Sequence, residues 1–426
     1  MKRVVILCVW LFSVVAGHAQ LSLDECRRLA RENYPEIRQY DLVHQTEQYN
    51  LSNAARAWIP QLAFSAQATW QTDAPNFPKE LTGMLAQQGL EIPGLRKDQY
   101  KVALELNQTI WDGGKSVADK RIARAEAAEQ KTMTDVDLYE LEGRVDDLYF
   151  GILLLDERIA QTNLTLNLLR SNLEKVRALQ RNGVAMQSDA DVLEAELLSV
   201  GQQLIQFESS CDSYRRMLGI FIGQKVGDRK LQHPSAVQLL SGESARPELA
   251  MFAAKIDRLT AQEKMVKSSS MPRLGFFAQG YYGYPGLDYM QSMMNNDWSW
   301  NAMLGVKLSW NFGAYYTQKN NLNKLRTSRQ QVEVQRDVFL FNMNLQAAQE
   351  NGDIARLRKA IADDDRIVAL RRSVREAAES KLRNGIIDTH DLLSKITDES
   401  TASMARSMRE IELLKAIYEY KHTINR

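Results

Sequence analysis

The sequence is short of chain breakers: 9 Pro and 22 Gly in 426 residues. That scarcity points to long uninterrupted helices. An excess of either charge is also missing. Lys and Arg number 54 against 53 Asp and Glu, a net charge of +1, which gives no electrostatic reason for a nucleic-acid partner. The mean hydropathy of −0.38 excludes a multi-helix membrane protein. The histidines beyond the first segment, His44, His233, His390 and His422, show no zinc-binding spacing. No phosphate-binding glycine loop or nucleophile elbow occurs. The sequence therefore predicts neither an enzyme nor a cofactor or metal site. The 44% hydrophobic share suffices for packed cores and excludes wholesale disorder.

One apolar run opens the chain. Lys2 and Arg3 precede Val4 to Val15, and Ala16-Gly17-His18-Ala19 offers a small-residue cleavage site before Gln20. This is the pattern of a secretory signal over residues 1–19. The alternative, a membrane anchor, is opposed by the short run. No Cys follows the cut to take a lipid. Cys8 leaves with the signal, and Cys26 and Cys211 enter an oxidising compartment. Spacing does not say whether they bridge. Cys211 also falls on a helical stripe, where Cys serves as a small apolar residue.

The rest is one unit written twice. Asn33-Tyr34-Pro35-Glu36-Ile37 corresponds to Ala245-Arg246-Pro247-Glu248-Leu249, and Ile59-Pro60-Gln61-Leu62 to Met271-Pro272-Arg273-Leu274, both at an offset of 212. Trp111-Asp112-Gly113-Gly114 corresponds to Trp310-Asn311-Phe312-Gly313 at 310 − 111 = 199. Arg181-Asn182-Gly183-Val184 corresponds to Arg383-Asn384-Gly385-Ile386 at 385 − 183 = 202. The repeats span 20–223 and 245–426, with 224–244 a polar linker between them.

Within each repeat the hydrophobic period switches. Leu62, Phe64, Ala66, Ala68 and Trp70 alternate with polar or small residues, as do Val102, Leu104 and Leu106. Leu274, Phe276 and Ala278, then Trp300, Ala302, Leu304, Val306, Leu308 and Trp310, repeat the pattern. Period two predicts β-hairpins at about 61–111 and 273–312, with one apolar and one polar face. Strands of about ten residues with terminal aromatics suit a transmembrane barrel; a half-buried soluble sheet is the alternative. Leu141, Val145, Leu148, Ile152, Leu155 and Ile159 then recur at helical spacing, with Thr162 filling a gap before Leu166. Long antiparallel helical hairpins are predicted over 115–222 and 315–424, turning at Asn182-Gly183 and Asn384-Gly385, with Ser188 or Asp189 starting the returning helix of the first. A helix of about 68 residues is roughly 100 Å long at ~1.5 Å per residue, far beyond a bilayer core. Four strands cannot close a membrane barrel, since the smallest have about eight. Three copies would supply twelve.

These marks together resemble the TolC-type outer-membrane efflux factor family across nearly all of the mature chain. The carriers are Leu21 to Ala30 with Asn33-Tyr34-Pro35-Glu36-Ile37, Arg246-Pro247-Glu248-Leu249, the Trp111-Asp112-Gly113-Gly114 turn, and the two Gly turns with Asp189 and Asp391 six positions on. The resemblance implies a mainly α fold with membrane β-structure. The implied assembly is a homotrimer whose 12-stranded β-barrel in outer-membrane lipid continues into an α-helical barrel. The implied function is a passive exit duct of tripartite efflux or type I secretion, with a periplasmic adaptor and an inner-membrane transporter as partners.

The resemblance also implies sites. Arg181, Asn182, Gly183, Val184 and Ala185, with Arg383, Asn384, Gly385, Ile386 and Ile387, form adaptor-docking tips; simple helix capping is the alternative. Asp189 and Asp391 fall at the periplasmic aperture, where helix N-terminal charge compensation is the competing role. Gly113, Gly114 and Gly313 make the strand-to-helix turns. One departure stands out: where some family members gate with Arg and Tyr, this chain has Ile387 and Leu382. Segments 73–98 and 283–299 are expected to be irregular external loops. The competing reading of the whole chain is a periplasmic coiled-coil scaffold or adaptor with a soluble β-domain.

Overall fold

The computed structural model describes residues 20–90, 92–235, 244–384 and 386–425. The expected signal segment and Gly385 lie outside them. The first repeat comprises α1 (Leu23–Asn33), a 3-10 turn (Pro35–Arg38), α2 (Gln39–Arg56), β1 (Gln61–Trp70), α3 (Lys79–Gln87), β2 (Asp98–Trp111), α4 (Lys115–Arg181) and α5 (Gln187–Ile222). The second comprises α6 (Pro247–Ser268), β3 (Arg273–Tyr284), α7 (Tyr289–Asn295), β4 (Ser299–Ser309), α8 (Ala314–Arg383) and α9 (Thr389–Ile424). Pro35 and Pro247 each open a helical segment, where a missing N–H is harmless. Pro60 and Pro272 each stand immediately before a strand.

The changes of offset have structural addresses. The β1–β2 connection, 71–97, has 27 residues and the β3–β4 connection, 285–298, has 14, a difference of 13. This matches the offset change from 212 to 199. Helix α8 has 70 residues and α4 has 67, matching the change from 199 to 202. The loops correct one expectation: α3 and α7 lie within them. At α7, Asp288 accepts the Gln291 N–H and caps the helix.

Two compact units emerge, and each draws on both repeats. One contains residues 40–131 and 251–335; the other contains 20–39, 132–250 and 336–426, excluding residues not described. In the first, β1-β2-β3-β4 form one antiparallel sheet. The two hairpins are joined by β2–β3 pairing. Among the described residues, β1 and β4 each keep an unpaired edge. No described helix is long and apolar enough to cross a membrane.

In the second unit, α4, α5, α8 and α9 share an apolar cluster that includes Leu169, Val176, Leu193, Ala378, Leu392 and Ile396. Thr162 interrupts the apolar stripe on α4. It is buried, and its hydroxyl has no hydrogen-bond partner. Thr162→Val should therefore raise stability by about 1 kcal/mol, read as a higher denaturant midpoint. A lower midpoint would show that water satisfies the hydroxyl.

The same unit holds the first described residues. Leu21 bridges Leu231 in parallel, and the Tyr149 hydroxyl lies 2.8 Å from the Leu21 carbonyl and 2.7 Å from that of Gln232. The Arg27 guanidinium grips the Asp146 carboxylate with two N–H groups, the Nε contact at 2.7 Å. Cys26 and Cys211 are buried free thiols. Burial pushes the Cys26 thiol up to about 12, which keeps it protonated and unreactive.

Candidate functional site

Register assigns every strand residue to a face, because directly opposed residues in antiparallel strands share a side. Leu62, Leu106, Ala278 and Leu304 form one row; Phe64, Leu104, Gly280 and Ala302 form the next; Ala66, Val102, Tyr282 and Trp300 form a third. This face is apolar across all four strands. Its side chains are unusually open, with Phe64 73%, Leu304 75% and Trp300 82% exposed. Water would penalise such a patch; lipid would not. Aromatics gather at both ends. Trp298 stacks on Tyr100 at 5.5 Å and approaches Tyr282 at 5.4 Å, while Trp310 meets Phe312 at 4.8 Å. Trp300 and Trp310 are ten positions apart. That is ~33 Å along a strand, or ~25 Å in height at a tilt of ~40°, the height of a barrel's apolar band.

The opposite face holds nearly all the charge. The strands contain five charged residues: Asp98, Lys101, Glu105, Arg273 and Lys307. Only Asp98, at a strand end, falls on the apolar face. Lys101 donates to Gln279 Oε1 at 3.0 Å, and Gln279 Nε2 donates to Glu105 at 2.5 Å. This polar chain crosses β2 and β3. Sequence alternation showed that Glu105 and Lys307 oppose the apolar side, but not that Glu105 meets Gln279, which lies 174 positions away.

The strand-to-helix turns differ between repeats. Gly113 and Gly114 adopt φ +69 and +85, the left-handed region that favours glycine. A Cβ at Gly113 would also come within 2.7 Å of Met271 Cβ. Asp112 closes this turn, accepting the Gly114 N–H at 2.9 Å and the Ser116 N–H at 2.6 Å. Gly313 stands before α8 without a left-handed backbone, so that turn does not require glycine for its φ.

The hairpin ends carry the remaining sequence-predicted residues. Gly183 has φ +76, and the Val184 N–H donates to the Leu179 carbonyl at 2.9 Å. The Ile386 N–H donates to the Lys381 carbonyl at the same distance. Both are six-to-one bonds that close a helix C-terminus. Arg181, Asn182, Val184, Arg383, Asn384 and Ile386 are exposed, while Ala185 and Ile387 pack on the apolar cluster. The two tips therefore lie on one shared core. Leu382 packs there too, so both positions that depart from the family pattern are in apolar contact.

The two acidic candidates separate. Met186, rather than Ser188 or Asp189, is the N-cap of α5. Asp189 lies three residues inside, and its carboxylate accepts the Met186 N–H at 2.8 Å. It reaches back to an orphan donor, as the third helical residue of a capping box does. Asp388 caps α9 by accepting the Asp391 N–H at 2.8 Å, which leaves the Asp391 carboxylate exposed.

This arrangement combines a lipid-compatible sheet face, a polar reverse face and long water-exposed helices. Residues 27–223 match the family model described as Outer membrane efflux protein. The outer-membrane channel OprN is similar at 14% identity, over 94% of this chain and 89% of that one, with a TM-score of 0.71. VceC from Vibrio cholerae is similar at 15% identity, over 94% and 95%, with a TM-score of 0.67. The open state of the Neisseria gonorrhoeae MtrE channel is similar at 14% identity, over 94% and 88%, with a TM-score of 0.66. Among curated proteins no relative matches. The resemblance to the TolC-type outer-membrane efflux factor family therefore holds. With it stands the role of an outer-membrane efflux duct.

Proposed function

We propose that three copies of this chain close a 12-stranded barrel and pool their helices into a tube. The pooled strands form the outer-membrane exit of a tripartite efflux or type I secretion system. One observation carries this reading: a four-stranded sheet with two unpaired edges and an almost charge-free apolar face. Lipid tolerates no open edge. Pairing β1 of one copy with β4 of the next satisfies both edges and turns every polar face inward. The chain does no chemistry; cargo moves passively, driven by an inner-membrane transporter. Mass measurement of the detergent-extracted protein tests the assembly. A trimer in the membrane fraction is expected, and a lone soluble subunit would sink the proposal in favour of a periplasmic scaffold.

In this proposal 1–19 is the signal peptide, 20–223 and 245–426 are the two repeats and 224–244 joins them. The tips, Arg181 to Ala185 and Arg383 to Ile387, dock the periplasmic adaptor. Their support is the exposed apolar pair Val184 and Ile386 beside exposed Arg181 and Arg383. Asp391 contributes the open carboxylate at the aperture, with three symmetry copies attracting cations; Asp189 serves the helix end. Val184→Asp should leave trimers intact, because the Val184 side chain is exposed and its backbone needs no glycine, yet abolish adaptor cross-linking and efflux. Normal cross-linking would remove this tip from the docking surface.

A further inference from the structure

The charges on the polar face of the sheet are unbalanced. That face carries Lys101, Arg273 and Lys307 against one carboxylate, Glu105, a net +2 in each chain. Glu105 is linked to Lys101 through Gln279, and Lys101 also lies 4.6 Å from the Tyr281 ring centroid. The two are thus mutually compensated. Arg273 and Lys307 have no acidic partner among the described residues. They lie one step apart along the sheet: Arg273 pairs with Ser309, and Lys307 pairs with Gly275.

Both cations border a cavity of about 470 Å³ at the base of the strands. Its walls include Lys115, Asp112 and Asp119, whose carboxylates are already engaged. Asp119 pairs with Lys115 at 2.7 Å, and Asp112 accepts the turn N–H groups of Gly114 and Ser116. The lining thus holds three cations, Lys115, Arg273 and Lys307, against two carboxylates, and a net positive charge remains. Gly275, facing Lys307, adds no side chain to cover it.

We propose that Arg273 and Lys307 form an anion-binding belt inside the barrel and bias the duct toward cargo bearing carboxylate, sulfonate or phosphate groups. The inference rests on the duct reading, which turns this face to the lumen. Three chains bring six such cations to one level of the pore. A ring of Arg and Lys lowers the barrier for anions and raises it for cations, and low-dielectric walls concentrate its field.

Single channels of the purified trimer in planar bilayers provide the test, with a KCl gradient for selectivity and inositol hexakisphosphate added from the outer side as a multivalent anionic probe. The double variant Arg273→Gln/Lys307→Gln should lower the chloride-to-potassium permeability ratio at least about twofold and raise the blocking concentration of the probe about tenfold. The charge-preserving variant Arg273→Lys/Lys307→Arg should retain both properties. Channels whose selectivity and block are unchanged in the Gln variant would overturn the belt while leaving the duct intact. A wild-type protein that inserts but never conducts would instead sink the duct reading, and the belt with it.

Discussion

Leu304→Arg is expected to remove the protein from the outer membrane, while Met303→Arg, one residue earlier, leaves it there. Leu304 stands opposite Ala278 on the apolar face and Met303 opposite Gln279 on the polar face. An arginine facing lipid near mid-bilayer costs about 2–4 kcal/mol, and a trimer incurs that cost three times. An arginine facing water costs little. Membrane fractionation of both variants, with trimer detected on unheated gels, reads the result. Equal retention would mean that Leu304 does not face lipid, and equal loss would mean that lipid does not distinguish the two faces. The comparison is sharp because the two positions share strand and depth and differ in which way the pleat points them.

Arg27→Ala should destabilise the fold by about 3–5 kcal/mol, because it strands a buried carboxylate. Asp146 is almost fully buried on α4, and its ion pair with Arg27 joins α1 to that helix. Burial pushes the Asp146 carboxyl above its usual range, and the hydrogen bonds and charge of Arg27 oppose that shift. Without the guanidinium, only burial and neighbouring acids act on the carboxyl, so its pKa rises further. A raised carboxyl pKa in the folded state means that folding favours the protonated form. The deficit of Arg27→Ala should therefore be largest at neutral pH and shrink as the pH falls and Asp146 takes up a proton. Denaturant midpoints across pH would show this. Pairing Arg27→Met with Asp146→Leu should recover most of the loss, since an apolar pair of similar volume leaves no stranded charge. A double variant as weak as the single one would place the effect in packing instead of charge.

Each main element is legible along the chain because its signal is local. A strand declares itself by alternation over ten residues, as from Gln61 to Trp70, and a helix by its stripe, as from Leu141 to Val176. The glycine turn at Gly183 is a statement about one residue's φ. The two changes of repeat offset were also legible, and they correspond to loop and helix lengths. The short helices α3 and α7 were missed because their seven to nine residues sit among prolines and polar residues, too short for a period to emerge. The cap of α5 was misread at Ser188 or Asp189 for a related reason: a Met N-cap carries no sequence signal, and its N–H is satisfied instead from Asp189.

Features set by near neighbours can be read from the residues alone: the strand faces, the long helices, the turns and the duplication. The tertiary fold supplied what joins distant segments. It paired β2 with β3, making one sheet of two hairpins. It linked Lys101, Gln279 and Glu105 across that pairing, brought Arg27 to Asp146, and set both tips on one core. The physical reason is range. Backbone conformation follows local sterics and side-chain period, whereas an ion pair or strand pairing between segments more than a hundred residues apart exists only once the chain has closed the loop between them.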